Sequence, residues 1–335
     1  MFVETLERAA DSVLSRYPLP ASERASLGNA GGFSGARLWK ITSAAGTYCL
    51  KAWPADRFPA ERLVRMHSWM ISARSSDLRF VPNVIHAADG STVAAREQYH
   101  WDLTDWMPGR AAFRDNPTPS RIAAACSALA TLHAAWGRTE SRIGPCSAVQ
   151  RRLAALEEWL DLVRSGWRPA FATPSFDPVT PAAERAWRIL PALVSQLPTI
   201  LEPHKVRPVL LHPCLCDIWH DHVLFEGDVV SGVIDYGSMR IDSPATDLAR
   251  LLGSMAGDDQ VLFRAGMNSY LAILPNAVSD PDLVRILDWS GTVLGAANWL
   301  IWLYRDHREF EDRTAAARRL RTLVERMEVS SSGEF

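Results

Sequence analysis

The chain has 335 residues, 47% hydrophobic and 22% charged, with 36 lysines and arginines against 38 acidic side chains. That length buries an ample core in two domains or one large bilobal one, and the apolar content excludes intrinsic disorder. A net charge of −2 removes the electrostatic case for a nucleic acid or an anionic membrane as partner.

Lysine is scarce, for only Lys40, Lys51 and Lys205 occur among the basic residues. A retained lysine offers a compact point charge that arginine does not. The first residues, MFVETLERAADSVLSRYP, carry early acids and no apolar segment of the signal-peptide kind. The longest apolar run, residues 291–303, is too short to span a bilayer and predicts a buried helix. Five irregularly spaced cysteines do not form a disulfide framework, so the expected compartment is the cytoplasm.

In chain order, an opening helix is followed by strand-rich sequence. Residues 38–41 and 48–53 flank Ala44-Ala45-Gly46 and predict a hairpin. Residues 59–73 place Leu63, Met66, Trp69, Met70 and Ala73 at helical spacing. Short strands follow around 84–87, 92–95 and 100–106, until Met107-Pro108-Gly109 ends the pattern. Helices are then expected over 120–136, 147–165 and 181–201. A β island at 222–225 and 229–235 surrounds the turn Glu226-Gly227-Asp228. Helices resume from 244, and 313–328 mixes arginines and acids in the manner of a solvated face. The expected architecture is α+β and bilobal: a small antiparallel β-sheet lobe over 1–107 and a larger, mainly helical lobe over 108–335.

The β island carries the chemistry. Asp217 precedes a strand, His222 opens it, and Asp235 ends the strand paired with it. Phosphoryl transfer needs a carboxylate to orient and deprotonate a hydroxyl, and hard ligands to hold Mg²⁺ against nucleotide phosphates. Such spacing gathers these groups around one cavity. Upstream, Gly28-Asn29-Ala30-Gly31-Gly32-Phe33-Ser34-Gly35 lies between two predicted strands, where backbone N–H groups of Gly32 and Gly35 and the Ser34 hydroxyl can approach phosphate oxygens.

In these motifs the sequence resembles the aminoglycoside phosphotransferase and choline kinase-like family, relatives of the protein kinases. The family reads H-G-D-x-x-x-x-N-V-L-F, a hairpin, I-D-[FWY]-G, and D-P-x-x-D-L-A. Here the matching stretches are Asp217 to Phe225, Ile234 to Gly237, and Asp242 to Ala249. The resemblance implies a protein-kinase-like fold and a small-molecule kinase of the cytoplasm that uses ATP, with GTP not distinguished, and Mg²⁺. It implies Asp217 as base, Asp235 and His222 as metal ligands with Asp221 as a substitute, and Asp247 as a structural acid. It also implies that Lys51 reaches the α- and β-phosphates, that Glu61 pairs with Lys51, and that the backbone of Asp105, Trp106 and Met107 meets adenine. Two positions depart from the pattern: His222 replaces the family's Asn, and Leu215-Cys216 replaces its His-Gly. The expected acceptor is a hydroxyl of an amino sugar, amino alcohol or similar metabolite, in a monomer or homodimer. Trp159, Trp167, Trp187, Trp289, Trp299 and Trp302 fit either an acceptor pocket or helix core.

Two other readings stay open. A nucleotide-binding module of pseudokinase type without turnover follows if His222 weakens the metal site. A structural zinc protein follows if Cys214, Cys216, His220 and His222 converge.

Overall fold

A computed structural model describes residues 2–29, 34–171, 177–278, 280–310 and 312–331. Helix α1 (Phe2–Leu14) leads into β1 (Ser22–Gly28), β2 (Arg37–Ser43) and β3 (Gly46–Pro54), then α2 (Ala60–Ser75), β4 (Ala94–Arg96) and β5 (Tyr99–Asp105). The five strands form one antiparallel sheet in the order β1-β2-β3-β5-β4. Strand alternation gives this sheet two apolar faces. Trp39, Ile41, Leu50, Ala52, Trp101 and Leu103 bury against Leu6, Ala9, Ala10 and Val13 of α1. The opposite face puts Trp53 into the main core with Leu63, Met66 and Met70 of α2. Lys51 and Asp102 stand opposite one another in the β3–β5 register and therefore share that second face.

The rest is mainly helical: α3 (Pro119–Thr139), α4 (Ser147–Arg164), α5 (Thr180–Val194), α6 (Leu197–Leu201), α7 (Pro244–Met255), α8 (Gln260–Ile273), α9 (Pro281–Leu300) and α10 (Arg313–Ser331). Helix α3 starts where Thr118 accepts the Arg121 N–H, with Pro119 in the first turn; Ser243 and Pro244 do the same for α7. The single helix expected over 181–201 is two, α5 and α6, separated at Ser195 and Gln196. Three strands escaped the sequence pattern. These are β6 (Arg142–Pro145), β7 (Pro208–Cys214) and β10 (Arg240–Asp242), joined as β10-β7-β6. Prolines at 208 and 213 disguise β7, since proline cannot donate to a ladder. The expected hairpin is present as β8 (Val223–Glu226) and β9 (Val229–Val233).

Helix α10 departs from the expected solvated face. Ala316, Ala317, Leu320, Val324 and Met327 are buried, and Arg326 binds both carboxylate oxygens of Asp288. The tryptophans considered for an acceptor pocket pack as core: Trp159, Trp167 and Trp187 meet edge to face with centroids 5.9–6.0 Å apart, and Trp299 and Trp302 meet at 5.4 Å.

Candidate active site

The site is assembled on the loop between β7 and β8. Asp247, fully buried on α7, accepts the N–H groups of Leu215 at 2.7 Å and Cys216 at 2.6 Å, and its Oδ2 also meets His133 Nε2 at 3.0 Å. This clamp bends the chain through a left-handed conformation at Cys216, where φ is 63°, and turns Asp217 outward. His222, at the end of a 3-10 turn, donates Nδ1–H to the Asp217 carbonyl at 2.8 Å, while its Nε2 accepts the Trp219 indole N–H at 2.8 Å. The imidazole thus locks the loop, and with both nitrogens engaged it presents no lone pair to a cation. Burial, with Arg250 adding, holds its pKa below the ordinary value against the pull of Asp235 and Asp217.

Asp217 is half-exposed and takes two hydrogen bonds from Arg250, both on Oδ1, at 2.9 and 3.2 Å. Oδ2 has no protein partner among the described residues. Asp235 follows β9 in a left-handed conformation with φ of 64°. Its Oδ1 lies 3.9 Å from Lys51 Nζ and its Oδ2 lies 3.7 Å from His222 Nε2. Burial opposes the charge of Asp235, but Lys51, His222 and the Gly237 N–H outweigh it and keep the carboxyl below its ordinary pKa. Lys51 shows the mirror image: burial disfavours the ammonium, while Asp235, Cys49 and Asp102 raise it. Lys51, Asp235, His222 and Asp217 therefore form one contiguous chain across the cleft.

The expected Lys51–Glu61 pair is absent. Glu61 sits exposed in the first turn of α2 and makes no ion pair among the described residues, because the buried face of that helix carries Leu63, Met66, His67, Trp69, Met70 and Ala73. The residue after it, Arg62, is the one that reaches the site, donating to the Gly237 carbonyl at 2.7 Å. The four residues of zinc-ligand type do not converge either. Cys214 donates to the Asp242 carbonyl, His220 Nε2 accepts from Arg114 at 2.8 Å, and His222 is engaged as above. Among the described residues the cluster of ligand type is His133, Cys214 and Asp247, whose polar atoms are already hydrogen-bonded to the protein.

Of the residues expected to meet the nucleotide, Gly32 lies outside the described residues. Ser34 Oγ accepts the Ala36 N–H at 3.2 Å and keeps its own proton to donate. Gly35 has φ of 80°, with Pro54 Cγ 3.3 Å from where a Cβ would stand, so the bend requires glycine. In the segment 105–107, the Asp105 N–H is spent on Asn83 and the Trp106 N–H on Thr47, each at 3.0 Å. The N–H of Met107 has no protein partner among the described residues. Trp106 is partly exposed and takes the Lys40 ammonium over its ring at 5.0 Å. The next turn is fixed by Gly109, where a Cβ would sit 2.7 Å from the Phe225 carbonyl.

Sequence reasoning missed what stands beside Asp217. Trp219 carries Arg319 of α10 over its ring at 4.3 Å and Arg250 at 5.9 Å. Arg319 is held below its ordinary pKa by burial, Arg250 and Arg318 despite Asp221 and Asp217. Two guanidinium groups thus crowd beside the loop carboxylate, one brought from a helix about a hundred residues downstream. No local motif contains both.

Comparison with known proteins bears on this geometry. The profile of the phosphotransferase enzyme family, APH, matches residues 27–282. The chain belongs to that family. It is similar to homoserine kinases of Beijerinckia indica, at 31% identity over 158 residues covering 44% of this chain and 47% of the relative, and of Rhodospirillum rubrum, at 29% covering 39% and 45%. The chain spans about half the length of these relatives. A spectinomycin phosphotransferase with ADP and spectinomycin superposes with a TM-score of 0.71 at 11% identity, covering 97% of this chain and 98% of that one. A choline/ethanolamine kinase family protein from Mesorhizobium loti gives 0.54 at 17% identity, covering 97% and 93%. The α+β kinase-like fold is therefore shared across the chain. Among the described residues no helix is long and apolar enough to cross a membrane.

Proposed function

We propose that the protein is a kinase that transfers the γ-phosphate of ATP to the hydroxyl of a small metabolite bearing a carboxylate, a hydroxy amino acid such as homoserine being the leading candidate. The observation that carries this reading is the contiguous chain Lys51–Asp235–His222–Asp217, ending in a carboxylate oxygen without a protein partner among the described residues. Oδ2 of Asp217 accepts the acceptor's hydroxyl hydrogen and orients its oxygen for in-line attack. Arg250 holds Oδ1 of Asp217 and so aims the carboxylate, and His222 fixes the backbone beneath it. Lys51 meets the nucleotide phosphates, with the Ser34 hydroxyl and Gly35 backbone closing over them, and the Met107 N–H meets the adenine edge. Positioning and charge stabilisation account for most of the acceleration in such sites.

Asp235 suits a hard divalent cation, being a half-exposed carboxylate kept ionised by its neighbours. Mg²⁺ bound there supplies charge neutralisation for the nucleotide phosphates. His222, as oriented, does not suit that role, and its task is to hold the loop. For the acceptor, two arginines beside Trp219 favour an anionic group over a polycationic aminoglycoside, since planar guanidinium groups match carboxylates. The homoserine kinases among its relatives agree with that chemistry.

The test is ADP release in the presence of Mg²⁺ and ATP across hydroxy amino acids, amino sugars and amino alcohols, with Asp217→Asn as the blank. Turnover with a carboxylate-bearing alcohol, lost in Asp217→Asn, is the expected result. Nucleotide binding with no turnover on any acceptor would replace this reading with the pseudokinase one.

A further inference from the structure

With no glutamate facing Lys51 among the described residues, something else must hold that ammonium in place. Asp235 cannot do this alone, because a carboxylate committed to a cation has less charge left for lysine. A lysine on a four-carbon stem is also mobile unless it is anchored.

The face of α2 that packs on the sheet carries one titratable residue, His67, which is 1% exposed. Its Nε2 lies 3.1 Å from Oδ2 of Asp102, itself 3% exposed on β5. The same oxygen accepts the Trp53 indole N–H at 2.8 Å. Trp53 is two residues beyond Lys51 on β3, and its ring lies under the Lys51 ammonium at 4.5 Å. Asp102 is the direct cross-strand neighbour of Lys51. A carboxylate buried in this way is costly to maintain, and a leucine of similar volume would pack the space.

We infer that Asp102, held by His67 and Trp53, takes the place of the helix glutamate and positions Lys51 for the nucleotide phosphates. The inference rests on the kinase reading above. Lys51 is then gripped from below by the Trp53 ring and from the side by the Asp102 charge, and α2 is tied to that charge through His67. Movement of α2 is transmitted to the ammonium through a histidine and an aspartate rather than through a direct ion pair. The electrostatic contribution of Asp102 to the raised pKa of Lys51 agrees with this arrangement.

The experiment measures binding of a non-hydrolysable ATP analogue with Mg²⁺, and steady-state kinetics with ATP, in parent, Asp102→Asn, Lys51→Met and the double variant. Asp102→Asn is expected to lower kcat/KM for ATP about 10- to 100-fold, the scale of losing a buried charge on the neighbouring strand. In the Lys51→Met background the same change should cost less than about twofold, because its target is gone. A structural role would instead give losses that multiply, which would overturn the inference. His67→Gln, which keeps an N–H donor, should retain more ATP affinity than His67→Leu; equal values contradict the relay. A larger loss from Glu61→Gln than from Asp102→Asn would return the role to the helix glutamate. Failure of the parent to bind the analogue would overturn the kinase reading itself. An active parent with multiplicative losses would overturn only the role of Asp102.

Discussion

Gly237, two residues beyond Asp235, lies against Trp53 of β3. A Cβ placed there would lie 2.7 Å from both Cη2 and Cζ3 of Trp53, and 3.5 Å from Asp235 Oδ1. Carbon atoms pack at about 3.5–4.0 Å, so Gly237→Ala displaces the indole by roughly 1 Å. The ring has nowhere to go: it is 2% exposed, bonded through Nε1 to Asp102, tilted on Phe58 at 4.7 Å and capped by Lys51. Overpacking of this kind costs about 1–3 kcal/mol, seen as a lower thermal midpoint. The same displacement moves the seat of Lys51, so kcat/KM for ATP should fall about tenfold or more. Adding Trp53→Leu removes the clash, so the double variant should melt no lower than Trp53→Leu alone, but activity is not regained, since the ring under Lys51 is gone. The reasoning is refuted if Gly237→Ala melts and turns over like the parent, or if the double variant regains full activity.

Three further outcomes follow from the geometry. Arg319→Leu should raise KM for a carboxylated acceptor about 10- to 100-fold, the worth of one charged hydrogen bond, while KM for ATP stays put; a uniform change in both would argue against an acceptor role. Asp247→Asn should destabilise by about 3–5 kcal/mol, because two backbone N–H groups and His133 lose a fully buried charge; a thermal midpoint within a degree of the parent would contradict the clamp. His212 is 1% exposed and pushed down to about 3, chiefly by burial and with His133 adding. The unfolded chain therefore takes up this proton near pH 6.5 while the native protein does not. Its contribution to stability is complete above about 6.5 and declines towards pH 3 by at most about 1.4 kcal/mol per pH unit. His212→Asn keeps a donor for the Pro213 carbonyl and should flatten that slope in urea titrations between about pH 7 and pH 5; an unchanged slope would assign the acid sensitivity elsewhere.

Much of the fold was legible because its signals are local. The hairpin β8–β9, the Pro-Gly break after β5 and the helical periods of α2, α3 and α4 each lie within one stretch of sequence. Asp217, Asp235 and Asp247 were singled out because they stand in short stretches whose order and spacing carry the family resemblance. What the sequence hid depends on rotation and on distance along the chain. Glu61 and His67 are six residues apart on one helix; the apolar stripe of Leu63, Met66 and Met70 places His67, not Glu61, on the buried side, but only packing sets which residue His67 meets there. Asp102 alternates with Trp101 and Leu103, so its burial could have been suspected, but its register opposite Lys51 could not. His222 is of metal-ligand type, yet Trp219, three residues earlier, takes the lone pair. Arg319 belonged to a helix whose charge pattern suggested only solvent.

The most direct measurement is phosphorus NMR of the protein incubated with ATP, Mg²⁺ and homoserine, alongside Asp217→Asn. The account predicts a new phosphate monoester resonance growing as the γ-phosphate signal falls, in the parent alone. Conversion of ATP to ADP and inorganic phosphate with no ester formed, or ester formation undiminished in Asp217→Asn, would contradict it.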